Sequence, residues 1–153
     1  MTVVSMWLID RVGRRPLLLT GIAGMTISLG ALGYIFHLFA ATRGLANLAV
    51  ITLMIYVASF AISLGPIFWL LISEIYPLEI RGLAAGIASG ANWTSNFVVS
   101  LTFLTLIQRL GSSWTFWLYG LLSLAAWFFS YYLVPETRGH TLEEISGFWH
   151  KKT

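Results

Sequence analysis

The sequence predicts an all-α integral membrane protein: four transmembrane helices, preceded by the end of a fifth and followed by a short cytoplasmic C-terminal helix. Three observations predict it. The first is composition. Of 153 residues, 58% are hydrophobic and 10% charged, whereas an ordinary soluble domain carries about 25% charged residues. The second is where charge is missing: 16–42, 44–73, 82–108 and 110–135 contain no Asp, Glu, Lys or Arg. About 20 helical residues cross a bilayer core of roughly 30 Å, and each run is longer than that. The third is continuity. A buried soluble helix would show charges returning on an outer face, and a membrane strand would show short alternating segments; neither pattern occurs.

Residues 1–9 are apolar, end at Asp10-Arg11, and would extend only about 14 Å as a helix at 1.5 Å per residue. They read as the cytoplasmic end of a preceding membrane helix, with a short interfacial segment as the alternative. The spans follow at about 17–40, 47–72, 83–107 and 113–134. Arg11, Arg14, Arg15, Arg81, Arg138, Lys151 and Lys152 fall on one side of this arrangement, and Arg43 and Arg109 on the other. The basic excess places the first side, with both termini, in the cytoplasm. The net charge of +3 therefore reports topology, and no basic stripe with interleaved aromatics suggests nucleic acid. In the tail, 135–153, Thr141-Leu142-Glu143-Glu144 has the form of a capping box and predicts a short amphipathic helix to about Trp149.

Within the second span, Gly65-Pro66 should kink or break the helix, because proline lacks an N–H and clashes with the carbonyl of Ile62. Freed backbone groups in lipid are tolerated only against protein or a water-filled cavity. Tyr56, Ser59, Phe60, Ser63 and Trp69 surround the break, so this span either lines a cavity or uses the kink for packing. In the third span, at about 100° per residue, Ser89, Asn92, Trp93, Asn96 and Ser100 share one arc. Two carboxamides and an indole suit a neutral polyol, through paired donors and acceptors and a flat ring; the alternative is hydrogen-bonding glue between helices. Gly82, Gly86 and Gly90, and less regularly Gly21, Gly24, Gly30 and Gly33, predict close helix contacts.

Other chemistry is poorly represented. The absence of cysteine excludes disulfide frameworks, thiolate metal sites and cysteine nucleophiles. His37 stands without a second ligand at metal spacing, so no metal or cofactor is expected. No nucleophile, base and orienting group converge, and no phosphate-cradling glycine loop follows a strand; no enzyme is predicted.

These motifs resemble, in order, those of the sugar porter family of the major facilitator superfamily. Asp10-Arg11-x-Gly13-Arg14-Arg15 is similar to the family's loop between helices eight and nine. Gly65-Pro66-x-x-Trp69 with Ser73-Glu74-Ile75-x-Pro77-Leu78-x-x-Arg81-Gly82 resembles helix ten and its following loop. Asn92-Trp93-x-x-Asn96-Phe97 resembles helix eleven, and Pro135-Glu136-Thr137-x-Gly139-x-x-Leu142-Glu143-Glu144-Ile145 the C-terminal signature. The stretch 56–77 looks most like bacterial galactose–proton and arabinose–proton symporters, and Ala61 stands where animal glucose carriers have Glu.

The resemblance implies the end of helix eight through helix twelve of a major facilitator fold. It implies sugar contacts at Phe60, Gly65, Trp69, Asn92, Trp93 and Asn96. It also implies a cytoplasmic ionic network of Arg11, Arg14, Arg15, Glu74, Arg81, Glu136 and Arg138 that steadies one conformation. The implied substrate is a monosaccharide, hexose or pentose, moved by alternating access in the plasma (bacterial inner) membrane; proton coupling and facilitated diffusion both stay open. The N-terminal half would be the obligatory partner, so the chain is expected to be a fragment that transports nothing alone. A stand-alone membrane protein that binds or senses sugar is the alternative.

Overall fold

The computed structural model describes residues 12–39, 45–76 and 78–134. The expected end of a preceding helix at 1–9 and the expected tail helix at 135–153 lie outside them. Every regular element described is helical: α1 (Arg14–Phe39), α2 (Ala46–Ile62), α3 (Leu64–Ile75), α4 (Leu78–Leu110) and α5 (Ser112–Leu133).

Helix α1 is the hub. Leu17 is buried along it together with Leu18, Ile22, Met25, Leu29, Leu32 and Ile35, which from Leu18 on recur at three- and four-residue steps, and they are joined by Ile67 and Leu71 of α3. Helix α5 runs antiparallel to α1 and is tied to it along its length. Arg15 Nη2 donates to Tyr131 O (2.7 Å), Trp127 Nε1 to Leu19 O (3.1 Å), Trp117 Nε1 to Gly30 O (3.3 Å) and Ser113 Oγ to Gly33 O (2.6 Å). Phe36 stacks on Phe116 at 5.2 Å. Helix α2 packs on another part of α1 through small residues: a Cβ added to Gly21 would collide with Ser63, and one added to Gly24 would come within 2.6 Å of Ser59 Oγ. At Gly33 the corresponding space is filled by the Trp117 indole. Close contact at these three glycines is what the sequence predicts.

Two boundaries differ from expectation. Between the second and third spans α3 ends at Ile75 and α4 begins as early as Leu78, so Arg81-Gly82 lies inside α4. Tyr76 is extended (φ −95, ψ 135), the conformation favoured before proline, and the helix restarts directly beyond Pro77. On the other side α4 and α5 are separated by Gly111 alone, at φ 83 and ψ 161, a region open in practice only to glycine. The Gly111 N–H donates to Ile107 O (2.9 Å) and its carbonyl accepts from Thr115 N (3.2 Å) and Thr115 Oγ1 (2.8 Å), so both backbone groups of the connecting residue are paired.

Three stretches are long and apolar enough to cross a membrane by length and composition: Arg14–Leu38, Ala46–Ile72 (α2 with most of α3) and Ser112–Leu133. Helix α4, with 33 residues, is about 50 Å long at 1.5 Å per residue, ample for a fourth crossing. Its Gly, Ser, Thr and Asn residues dilute its apolarity below that of the others.

Candidate functional site

The break in the second span falls where proline chemistry puts it. Helix α2 ends at Ile62, and Ser63 leaves helical geometry at φ −114, ψ −88. The Ser63 N–H is shared between Ser59 O (3.3 Å) and Phe60 O (3.2 Å), and Ser63 O accepts from Ile67 N (3.0 Å), starting α3. Pro66 thus occupies the first turn of α3, where a missing N–H has no intrahelical acceptor to leave unpaired.

The groups expected around the break separate into two sets. Ser63 is fully buried (0% exposed) and, with Ser59, faces the glycines of α1. Both serines are therefore packing residues, in keeping with the packing alternative for the kink. Phe60 and Trp69 are exposed instead, at 46% each, and Gly65 lies between them with open space on one side, its nearest atom being Phe60 O at 3.4 Å from an added Cβ.

On α4 the expected arc is present as a continuous helical face. Asn96 Nδ2 donates to Asn92 O (3.0 Å) and to Asn92 Oδ1 (3.2 Å), and Ser100 Oγ to Asn96 O (2.8 Å). The two carboxamides are thereby held side by side, and Trp93 stands beside them 68% exposed. Such a face offers amide donors and acceptors next to an indole plane, with no charged group among them.

Phe60, on α2, is not brought to the α4 face, whereas Gly65 and Trp69 lie on α3, which adjoins α4. Helix α2 packs on α1 and makes no contact with α4. The space between the helices, about 490 Å³, is lined by apolar side chains including Ile22, Leu53, Phe103 and Phe116, with the hydroxyl-bearing Tyr56, Tyr119 and Ser123, and by none of the six expected sugar contacts. Sequence reading missed this cavity, because its walls come from α1, α2, α3, α4 and α5 together and share no motif. Gly82, Gly86 and Gly90 have no atom within 4 Å of an added Cβ, so the close contact expected there is not made among the described residues.

Of the expected ionic network, Arg11, Glu136 and Arg138 and the Glu74 side chain lie outside the described residues. Arg15 Nη2 donates to the Tyr131 carbonyl near the C-terminus of α5, and the guanidinium lies 5.5 Å from that residue's ring centre. Arg81 Nε donates to Tyr76 O (3.3 Å), linking the start of α4 to the end of α3. No group of three or more potential metal ligands occurs among the described residues.

Comparison with known proteins places these features in context. The profile of the family described as "Sugar (and other) transporter" matches residues 1–149. "D-xylose-proton symporter-like 1" of Arabidopsis thaliana is 46% identical over 147 residues, covering 95% of this chain and 28% of the relative. The D-xylose-proton symporter of Escherichia coli K12 is 38% identical over 158 residues, covering 99% and 31%. The structure of the E. coli xylose transporter in its inward-open conformation superposes with a TM-score of 0.85 at 39% identity, covering 97% of this chain and 32% of that one. The chain spans about 30% of the length of these relatives. All three carry xylose in their names, where 56–77 suggested the galactose and arabinose symporters.

Proposed function

Since the chain belongs to the sugar transporter family, within the major facilitator superfamily, we propose that it forms part of a proton-coupled monosaccharide transporter working by alternating access. Its relatives are multi-pass membrane carriers and not enzymes, and the chain is itself a multi-pass membrane protein. The sugar-facing role is assigned to Asn92, Trp93 and Asn96 on α4 and to Phe60, Gly65 and Trp69 around the α2–α3 break. Membrane carriers bind substrate near the midplane, between halves that rock around it, and the two open faces await such a facing half. The names of the relatives support a pentose of the xylose type and proton coupling. The basic residues at the Arg14 end of α1 support cytoplasmic termini in the plasma (bacterial inner) membrane. Arg14, Arg15 and Arg81, with Arg11, Glu74, Glu136 and Arg138, are proposed to hold one conformation through cytoplasmic ion pairs.

The observation that carries the reading is the face of α4, where neighbouring carboxamides and an exposed indole are held at membrane depth without a charge. The test is a chimaera in which this chain replaces the stretch of the E. coli xylose–proton symporter that it aligns with. Proton-driven xylose uptake into vesicles is expected. Trp93→Ala or Asn92→Ala should reduce sugar affinity at least tenfold without altering membrane insertion, whereas unchanged affinity would assign this face to helix packing. The 153-residue chain alone should show no saturable uptake.

A further inference from the structure

The two carboxamides on the α4 face are not interchangeable. Asn92 O is a main-chain carbonyl and can only accept, so the Asn96 side chain that meets it at 3.0 Å presents its NH2 end. That NH2 has two protons, and its second acceptor is Asn92 Oδ1 at 3.2 Å. Turning the Asn92 amide over would set NH2 against NH2. Turning Asn96 over would set its oxygen against the Asn92 main-chain oxygen, whichever way Asn92 faced. Each alternative loses hydrogen bonds and gains repulsion. A backbone group that cannot rotate therefore fixes the orientation of both side chains.

What remains outward differs accordingly. Half-buried Asn92 keeps both Nδ2 protons, and exposed Asn96 keeps its Oδ1; among the described residues neither group has another partner. The face is thus polarised, with a donor at Asn92 and an acceptor one helical turn further along.

We propose that Asn96 is a positioning residue for Asn92: it holds the Asn92 carboxamide with its NH2 toward the sugar, so that the site reads one sugar hydroxyl as an acceptor. This rests on the assignment of the α4 face to sugar and gives Asn92 and Asn96 different roles within it. A carboxamide free to turn can donate or accept, and so suits a hydroxyl in either role. One held by Asn96 offers that hydroxyl N–H bonds alone. Holding the side chain before sugar arrives also removes the cost of ordering it on binding. Affinity and selectivity should therefore fall together when Asn96 is lost.

Two measurements test this, the first without sugar. The carboxamide residues of the chain are Asn47, Asn92, Asn96 and Gln108, so its side-chain NH2 spectrum in micelles is simple. In the 15N-labelled 153-residue chain, the Asn96 NH2 protons should exchange with solvent at least about fivefold more slowly than those of Asn92. Asn96→Leu should lower the heteronuclear NOE of Asn92 Nδ2, which a residue acting only through helix packing would leave unchanged. Equal exchange of the two amides, or an Asn92 NOE unaffected by Asn96→Leu, would overturn the proposal. The exchange comparison needs no variant, so it decides the matter if Asn96→Leu loses helicity by circular dichroism.

The second measurement uses the chimaera, with deoxy and deoxyfluoro xyloses competing against xylose uptake. A C–F group accepts weakly and cannot donate. At one ring position, removing the hydroxyl should weaken competition about tenfold, and fluorine there should restore about threefold of it. Asn92→Ala should abolish the difference between the fluoro and deoxy sugars. Asn96→Asp cannot donate to Asn92 O and draws the Asn92 NH2 toward itself, turning Asn92 Oδ1 outward, so the two analogues should then compete equally. Asn96→Leu, which leaves Asn92 unheld, should also erase the preference and stands in if Asn96→Asp fails to insert. A fluoro preference that survives these variants, or no ring position at which fluorine restores competition, would overturn the proposal. A chimaera that takes up no xylose would count against the transport reading, and the exchange measurement would still decide the role of Asn96.

Discussion

Helices α1 and α4 are both long and glycine-bearing, yet they stand in opposite situations. Half of the α1 span is buried within the chain (50%), against 11% of the α5 span, and no described residue of α4 is buried. In α1 three glycines receive side chains from α2 and its C-terminal Ser63 and from α5, while in α4 the evenly spaced Gly82, Gly86 and Gly90 receive none among the described residues. Regular spacing of small residues therefore marks a helix that can be approached closely, and what approaches it must come from elsewhere. In α1 the partners lie within the chain. In α4 the same grammar, together with Asn92, Trp93 and Asn96, faces outward, as a surface built to meet further protein and substrate would.

The sharpest way to break this contrast is to add bulk at matched glycines. Gly33→Leu would expel the Trp117 indole and with it the Trp117–Gly30 hydrogen bond, and overpacking of this kind costs about 1–3 kcal/mol or more. Gly86→Leu in the same chain should stay within about 0.5 kcal/mol. Denaturation of the chain in mixed micelles, followed by tryptophan fluorescence, compares the two. In the chimaera the contrast should narrow, because Gly86→Leu would there meet a neighbour. If it remains silent in both settings, α4 packs against nothing through this face.

A smaller effect on stability is expected at the break. Because Pro66 lies in the first turn of α3, Pro66→Ala should change the stability of the chain by less than about 1 kcal/mol. It restores an N–H to the Ile62 carbonyl, however, and favours a continuous helix that reorients Phe60 relative to Trp69. Uptake by the chimaera should fall at least fivefold while the denaturation midpoint barely moves. A large loss of stability with uptake intact would make the proline a packing device.

How much of this was legible in the sequence follows from what one dimension can carry. The charge-free runs gave the helices and their order, and Gly65-Pro66 gave the break to within a turn. The helical period put Asn92, Trp93 and Asn96 on one face. What the sequence could not give was adjacency. Ser59 and Ser63 read as possible cavity donors because a hydroxyl near a kink looks the same whether it faces water or a glycine of α1. Gly82, Gly86 and Gly90 read as a packed stripe because spacing does not reveal whether the partner is present. The apolar cavity, with walls from five helices, has no local signature at all.

The smallest effect tests whether polar contacts or close packing hold the hub together. The Thr26 hydroxyl donates to Ile22 O (2.8 Å) and shares a hydrogen bond with Ser123 Oγ (2.9 Å), linking α1 to α5 across a partly buried seam. Thr26→Val keeps the shape and removes both bonds. Hydrogen bonds between membrane helices average about 0.6 kcal/mol in double-mutant cycles, because the separated helices also find partners. The Thr26 hydroxyl has such a partner within its own helix, at Ile22. Thr26→Val should therefore cost about 0.6 kcal/mol, and the Thr26→Val, Ser123→Ala cycle should return a coupling no larger. A coupling above about 2 kcal/mol would mean that α1 and α5 are joined chiefly by hydrogen bonds. The glycine substitutions would then lose their place as the largest effect, and the contrast between α1 and α4 would rest on polarity instead of on space.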